Sequence, residues 1–385
     1  MTTPPPGRRG PLLAAGLLLA VPLGTALAAP AAGVPAASPS PVSPLPAVPL
    51  APAEGAGPVP SGDTPTAAQA QPLPAAAAPA GGGLGTPLVS GLPWRSGATG
   101  GGFPCLAQLR GRPLDAITTF VPHDSFPAMV RFTGGGWTRG NAKKAPLWVV
   151  SLPLLPSSER GQFARCAGGA FDGSFRQIGA NLRSAGAPGT VVRLGWEANI
   201  GSDSHPWGVD GPAQVPAYRA CFRRAAAALK AGGPGLAIEW TNAKKTANRA
   251  LSVEAMYPGG DAVDVIGVHY YDTGPRKSTQ AVWDRYYKAT YGRNPWGLGA
   301  WLDFARAHGK RLGVAEWGLW RQGGSAAAAD DPVYVDNMAR FFRANAGGIA
   351  YETYFNAQGD QHMLCPSTRF PRAAARYKAG WGRGG

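Results

Sequence analysis

Two stretches decide the fold: Val191-Val192-Arg193-Leu194-Gly195-Trp196-Glu197 and Arg311-Leu312-Gly313-Val314-Ala315-Glu316-Trp317. Each runs apolar and β-branched before it delivers a glutamate at its C-terminal end. A (β/α)8 barrel presents paired carboxylates in this way, because its active site lies where the parallel strands end. Such a pair points to glycoside hydrolysis, with one carboxylate as nucleophile and the other as general acid/base.

Working outward from the pair, eight β-rich runs can be counted, each followed by a stretch long enough for a crossover. They lie near Leu92–Ser96 and at Leu114–Val121, Leu147–Leu154, Thr190–Glu197, Leu236–Thr241, Val263–Tyr270, Arg311–Glu316 and Gly348–Phe355. Between them, Gly161–Ser184, Val215–Ala231, Gly297–Ala307 and Pro332–Asn345 carry apolar residues at the three-to-four spacing of a helix packed on a sheet. Strand–helix alternation of this kind predicts a parallel α/β architecture, here a (β/α)8 barrel. An open doubly wound sheet is the alternative, and no Gly-rich phosphate loop follows a strand to support it. Glu197 then ends the fourth strand and Glu316 the seventh.

The 385 residues hold 55 Gly and 39 Pro, too many for a single ordinary globular domain, and the excess sits at the front. Residues 1–28 combine Arg8 and Arg9, an apolar run from Leu12 to Leu23 and the small-residue pattern Ala26-Leu27-Ala28, which reads as a secretory signal peptide. The apolar run is too short to span a bilayer, and no cysteine follows the cleavage region, so no stable membrane anchor is expected. Gly10-Pro11 after the two arginines fits general secretion better than twin-arginine export. Residues 29–90 are Pro, Ala, Gly and Ser with Glu54 and Asp63 as their only charges, a composition that predicts an extended, semi-rigid linker. Residues 91–385 suffice for one decorated barrel, expected to act as a secreted monomer.

Setting aside Arg8, Arg9, Glu54 and Asp63 leaves 35 basic against 20 acidic residues, so the barrel segment alone accounts for the formal net charge of +15. A surface of that sign favours polyanions, or is simply solvated. Nucleic acid is disfavoured by export and by the absence of a basic-aromatic recognition module. The four cysteines of an exported chain imply two disulfides. No pair has metal-binding spacing and the five histidines are scattered, so neither metal nor other cofactor is expected. In a closed barrel the loops after the first and eighth strands meet, which pairs Cys105 with Cys365. The segments after the third and fourth strands are neighbours, which pairs Cys166 with Cys221.

Three ordered motifs resemble family 26 of the clan A retaining glycosidases, the β-mannanase-like enzymes. Arg193-Leu194-Gly195-Trp196-Glu197 resembles that family's Arg-x-x-His-Glu. Asp264-Val265-Ile266-Gly267-Val268-His269-Tyr270-Tyr271 resembles its Asp-x-x-Gly-x-x-x-Tyr, and Ala315-Glu316-Trp317-Gly318 its nucleophile segment. The resemblance covers Leu92 to the helix after Pro371 and implies Glu316 as nucleophile, Glu197 as acid/base and Tyr271 as a hydrogen-bond donor to the nucleophile. Two departures stand out. Trp196 occupies the place of a histidine, and an indole N–H donates one hydrogen bond but accepts none. Phe355 replaces the aromatic residue, often tryptophan, that closes the sugar site at strand eight.

From the residues themselves, Arg193 lies four positions before Glu197, so both are expected on the inward face of one strand, with the guanidinium holding a nearby carboxylate ionised. Partial burial beside Trp196 is expected to raise the Glu197 pKa. Glu239, Asp264 and Glu352 compete as acids but lie inside strands or at the barrel's bottom. Flat aromatics suit pyranose C–H faces, which nominates Trp196, Trp207, Tyr270, Trp317, Trp320 and Phe355, with Asn199 and His205 as polar contacts. The function so read is a secreted retaining endo-glycosidase acting on a β-linked polysaccharide: mannan, β-glucan, xylan or an acidic exopolysaccharide. The alternative is a catalytically impaired carbohydrate-binding or structural relative on the same barrel. An esterase reading fails for want of a Gly-x-Ser-x-Gly elbow.

Overall fold

Eight parallel strands close into one barrel in the computed structural model, which describes residues 84–100, 102–321, 329–357, 361–366 and 368–383. The strands are β1 (Ser96–Thr99), β2 (Ala116–Phe120), β3 (Leu147–Leu152), β4 (Gly189–Leu194), β5 (Ala237–Ala243), β6 (Val265–Asp272), β7 (Arg311–Leu319) and β8 (Ile349–Phe355). Each hydrogen-bonds its sequence neighbours, and β8 returns to β1 with Ser96 opposite Glu352. All eight expected strands are present. The first begins at Ser96, where the expected run ended.

The helices of eight residues or more among the described residues are α1 (Phe103–Arg110), α2 (Phe126–Thr133), α3 (Asp172–Ser184), α4 (Val215–Gly232), α5 (Gln280–Tyr287), α6 (Leu298–Ala307), α7 (Pro332–Ala344) and α8 (Pro371–Trp381). A two-residue ladder, Thr290–Tyr291 with Asn294–Pro295, interrupts the connection between α5 and α6. Strand period two sorts the side chains into two cores. Outward residues such as Val192, Leu194, Ile238, Trp240, Ile266 and Val268 meet the helices. Inward residues such as Ala116, Val149, Val191, Ala237 and Val265 fill the barrel's lower interior.

Above that apolar plug the interior turns polar. Thr118, Ser151, Arg193, Glu239, Thr241, His269 and Thr353 are all buried. Glu239 accepts hydrogen bonds from Tyr351 and, at 2.6 Å, from Thr241; burial pushes its pKa up, so it fills a layer, as expected of an acid inside a strand. Gly267 makes room for it, since a Cβ there would lie 2.1 Å from the Glu239 Oε1. Glu352 points outward, where the indoles of Trp94, Trp317 and Trp381 donate to it at 3.2, 2.6 and 2.8 Å and tie α8 to the sheet.

Residues before the expected boundary at residue 91 already pack on the barrel. Leu84 is buried in the lower interior, Arg95 donates to the carbonyls of Leu84 and Thr86, and Val89 and Ser90 donate to Asp115. Residues 84–90 therefore close the barrel's base, because Leu84 supplies an apolar plug that composition alone did not distinguish from linker. The signal-peptide segment and residues 29–83 lie outside the described residues. Both expected disulfides are present, Cys105–Cys365 with Cα atoms 5.8 Å apart and Cys166–Cys221 at 4.9 Å. No helix among the described residues is long and apolar enough to cross a membrane.

Candidate active site

Glu316 reaches the barrel axis through a defect in β7. Gly267 of β6 pairs with Gly313, but His269, two residues on, pairs with Glu316, three residues on. This β-bulge inverts the alternation, so that Glu316 turns inward and Trp317 outward; bulges re-aim side chains in this way. The Ala315 carbonyl beside it accepts hydrogen bonds from Thr99 and Thr353, which fix the distortion. The Arg193 Nη2 lies 2.6 Å from one Glu316 oxygen, and the Tyr271 hydroxyl donates to the other at 2.8 Å. Arg193 is itself fully buried, held by Ser151, and its pKa is raised: burial opposes this, but Glu316 and the surrounding oxygens outweigh it.

Glu197 arrives differently. Strand β4 stops at Leu194, so Glu197 does not share a strand face with Arg193 as expected. Gly195 at φ 55° and Glu197 at φ 54° turn the chain sharply, and Glu197 is the sole non-glycine residue of positive φ among the described residues. That backbone costs about 1–3 kcal/mol and must be held by its surroundings. The Glu197 N–H donates to the Thr241 carbonyl at 2.9 Å, and the Trp207 indole donates to the Trp196 carbonyl at 2.7 Å. Asn199 exchanges two 2.9 Å hydrogen bonds with Ala243.

One ring joins the two carboxylates. His269 Nδ1 lies 2.9 Å from Glu197 Oε1, and its Nε2 lies 3.5 Å from Glu316 Oε1. The Arg193–Glu316 and His269–Glu197 contacts are at ion-pair distance without in-line N–H···O geometry at Glu316 Oε1 and His269 Nδ1. Arg193 also contacts His269 Nε2. Because guanidinium has only donors, Nε2 is the acceptor and the neutral ring carries its proton on Nδ1, towards Glu197. On its other side Glu197 lies 3.4 Å from His205 Nε2. The expected upward shift of Glu197 is therefore reversed: burial pushes its pKa up, but His269 and His205 outweigh burial and hold it below the usual carboxylate range.

His269 was not nominated from the sequence, although it lies two residues before Tyr271 and so on the same inward strand face. Of the nominated contacts, Trp196 packs edge-on against Phe120 and His205, while Phe355 and Trp320 pack against Tyr271. His362 closes the same aromatic wall between Phe355 and Trp320. These groups line one end of the carboxylate pair. The structure sets four other nominated residues away from the carboxylate pair. Trp317 is outward and buried among Phe342, Tyr354 and Trp381, because the bulge gave its inward place to Glu316. Tyr270 is outward by alternation with Tyr271. Trp207 is fully buried beneath His205, 4.8 Å away and nearly parallel, and Asn199 spends its amide on Ala243.

No protein-family model matches the sequence, and no curated protein matches it. Solved structures do match in fold. The modular endo-β-1,4-mannanase of Cellulomonas fimi, of glycoside hydrolase family 26, aligns with 72% of this chain at 17% identity and a TM-score of 0.51. The chain spans 65% of that enzyme's length. The family 53 catalytic domain of Ignisphaera aggregans aligns with 77% of this chain and 98% of its own, at 13% identity and a TM-score of 0.50. A family 26 β-mannanase from Bacteroides ovatus aligns with 74% of this chain and 88% of its own, at 14% identity and a TM-score of 0.48. The fold is thus a (β/α)8 barrel similar to those of the Cellulomonas fimi and Ignisphaera aggregans glycoside hydrolases.

Proposed function

We propose that this chain is an exported retaining endo-glycosidase that hydrolyses a β-linked polysaccharide by double displacement. The observation that carries this reading is the convergence of Glu197 and Glu316, from the ends of β4 and β7, on the single imidazole of His269. Retaining chemistry needs two carboxyl groups about 5–5.5 Å apart in unequal surroundings. The surroundings here are unequal: Glu316 meets a permanent cation and a phenol, whereas Glu197 meets two imidazoles.

In the first step the ionised Glu316 attacks the anomeric carbon, the glycosidic bond breaks, and protonated Glu197 gives its proton to the leaving oxygen. In the second step Glu197, now a carboxylate, takes a proton from water, whose oxygen attacks the anomeric carbon and releases Glu316. His269 and His205 favour the carboxylate form that the second step requires. Entering sugar removes water from around Glu197, and that desolvation favours the protonated form needed for the first step. Trp320, half-buried, offers flat apolar surface of the kind a sugar ring stacks on, and the buried rings of Trp196 and Phe355 back the wall. The paired cysteines fit the oxidising compartment to which the N-terminal segment directs the chain.

A panel of β-1,4-mannan, β-glucan, xylan and an acidic exopolysaccharide, read by product mass, tests this reading. It predicts oligosaccharide products from at least one polymer. Tight retention of one polymer without cleavage would favour the binding alternative.

A further inference from the structure

We propose that the β5–β6 rim of the active face is a binding track for an anionic polysaccharide chain, a carboxylated polymer rather than a neutral one. This deepens the reading of the substrate and rests on that reading only for the claim that the bound chain is also cleaved. The track begins at the ladder inserted between α5 and α6. There Lys245 lies 4.1 Å from the centre of the Tyr291 ring and 5.3 Å from that of Trp296, and the Arg249 guanidinium lies 5.1 Å from that of Tyr291. Tyr286 packs edge-on against Trp296 at 5.0 Å, so three half-buried rings hold two exposed cations in place. No carboxylate pairs with Lys245 or Arg249 among the described residues. Cations gathered without counter-acids repel one another, and an anion that enters relieves that repulsion.

The insertion is fastened to the rim. Asn294, buried within it, donates to the Leu251 carbonyl at 2.7 Å and accepts from the Val253 N–H at 2.8 Å. Inward of Lys245, Lys277 is buried and Lys244 half-buried, and both spend their ammonium groups on carbonyls of the rim. Lys244 donates to the carbonyl of Tyr271 at 2.7 Å, and Lys277 donates to the carbonyls of Thr273 and Pro275 at 3.2 and 2.9 Å. Arg276 donates to the carbonyl of Trp320, whose ring packs on Tyr271. Asp272, facing Arg276 and Lys277, and Asp331, near Lys277, are the acids that offset this inner end. The exposed part of the track is therefore Lys245 and Arg249 on their aromatic bed, on the loop after β5 and beside the β6 strand that carries Tyr271.

The test compares poly-β-1,4-mannuronate with β-1,4-mannan, polymers of one backbone that differ at the C6 carboxylate. Binding is measured by calorimetry on the full chain carrying Glu316→Gln, which separates retention from turnover. The proposal expects tighter binding of the polyuronate, loss of that preference as salt is raised, and about a fivefold or greater weakening in Lys245→Ala/Arg249→Ala with mannan binding unchanged. A sulfated dextran control distinguishes carboxylate recognition from general anion attraction: equal, equally salt-sensitive binding of the sulfated polymer would overturn the carboxylate assignment. Polyuronate binding no tighter than that of mannan, or indifferent to the double substitution in a variant of unchanged Tm, would overturn the track. Polyuronate retention that depends on Lys245 and Arg249, in a wild-type chain that cleaves no polymer, would leave the track standing and remove the glycosidase reading.

Discussion

The ends of β4 and β7 deliver the two glutamates by opposite means. On β7 the strand continues through the site, and a bulge changes which face Glu316 occupies while leaving it within the hydrogen-bonded sheet. On β4 the strand stops three residues short, and a left-handed turn carries Glu197 out over the barrel. A residue within a sheet is held by many backbone bonds, whereas one on a turn depends on a few contacts. Glu316 is accordingly held in fixed geometry beside a permanent counter-charge. Glu197 is held by a turn, with the imidazoles of His269 and His205 as its polar neighbours.

Four substitutions probe this contrast, from the largest effect to the smallest. Glu316→Ala should reduce turnover to background on every substrate, because among the described residues no other carboxylate occupies the inward face of β7 at that level. Glu197→Ala should lower kcat by about 10²–10⁴-fold on natural polymers. It should still react with an activated aryl glycoside and then stall, with azide restoring turnover and giving a product of retained configuration. Equal losses for activated and natural substrates would break the assigned division of roles.

His269→Leu sharpens the contrast through pH. Activity needs protonated Glu197, so kcat/KM falls as pH rises through its pKa, and the wild-type profile should already decline on the acid side of neutrality. Removing His269 leaves burial to push that pKa up, so the alkaline limb should move to higher pH. An unmoved limb would show that His269 does not govern Glu197. Trp317→Phe should lower Tm through the lost indole hydrogen bond to Glu352 while leaving KM unchanged. A raised KM with unchanged Tm would place Trp317 in the cleft after all.

The same contrast explains what was legible in the sequence. All eight strands were readable from their apolar, β-rich runs; Cys105–Cys365 followed from barrel closure and Cys166–Cys221 from the adjacency of the segments after the third and fourth strands. Arg193, Tyr271 and Glu316 were found together because each lies on an inward strand position. Trp317 and Tyr270 were misplaced because being next to a catalytic residue in sequence means facing the opposite way in a strand, and the bulge that sets the parity of β7 has no residue signature in Val314-Ala315. His269 was readable by that alternation and was passed over. The Glu197 turn was hidden because its φ is positive at a residue that is not glycine, and Asn199 and Trp207 looked like loop residues until the turn drew them inward.

The configuration of the first-formed product tests the central claim most directly. With a β-linked polysaccharide that the wild-type chain cleaves, proton NMR recorded within the first minutes of reaction should show the β-anomer at the new reducing end, followed by slow mutarotation. Initial appearance of the α-anomer would mean inversion, and would contradict the assignment of Glu316 as nucleophile and Glu197 as acid/base.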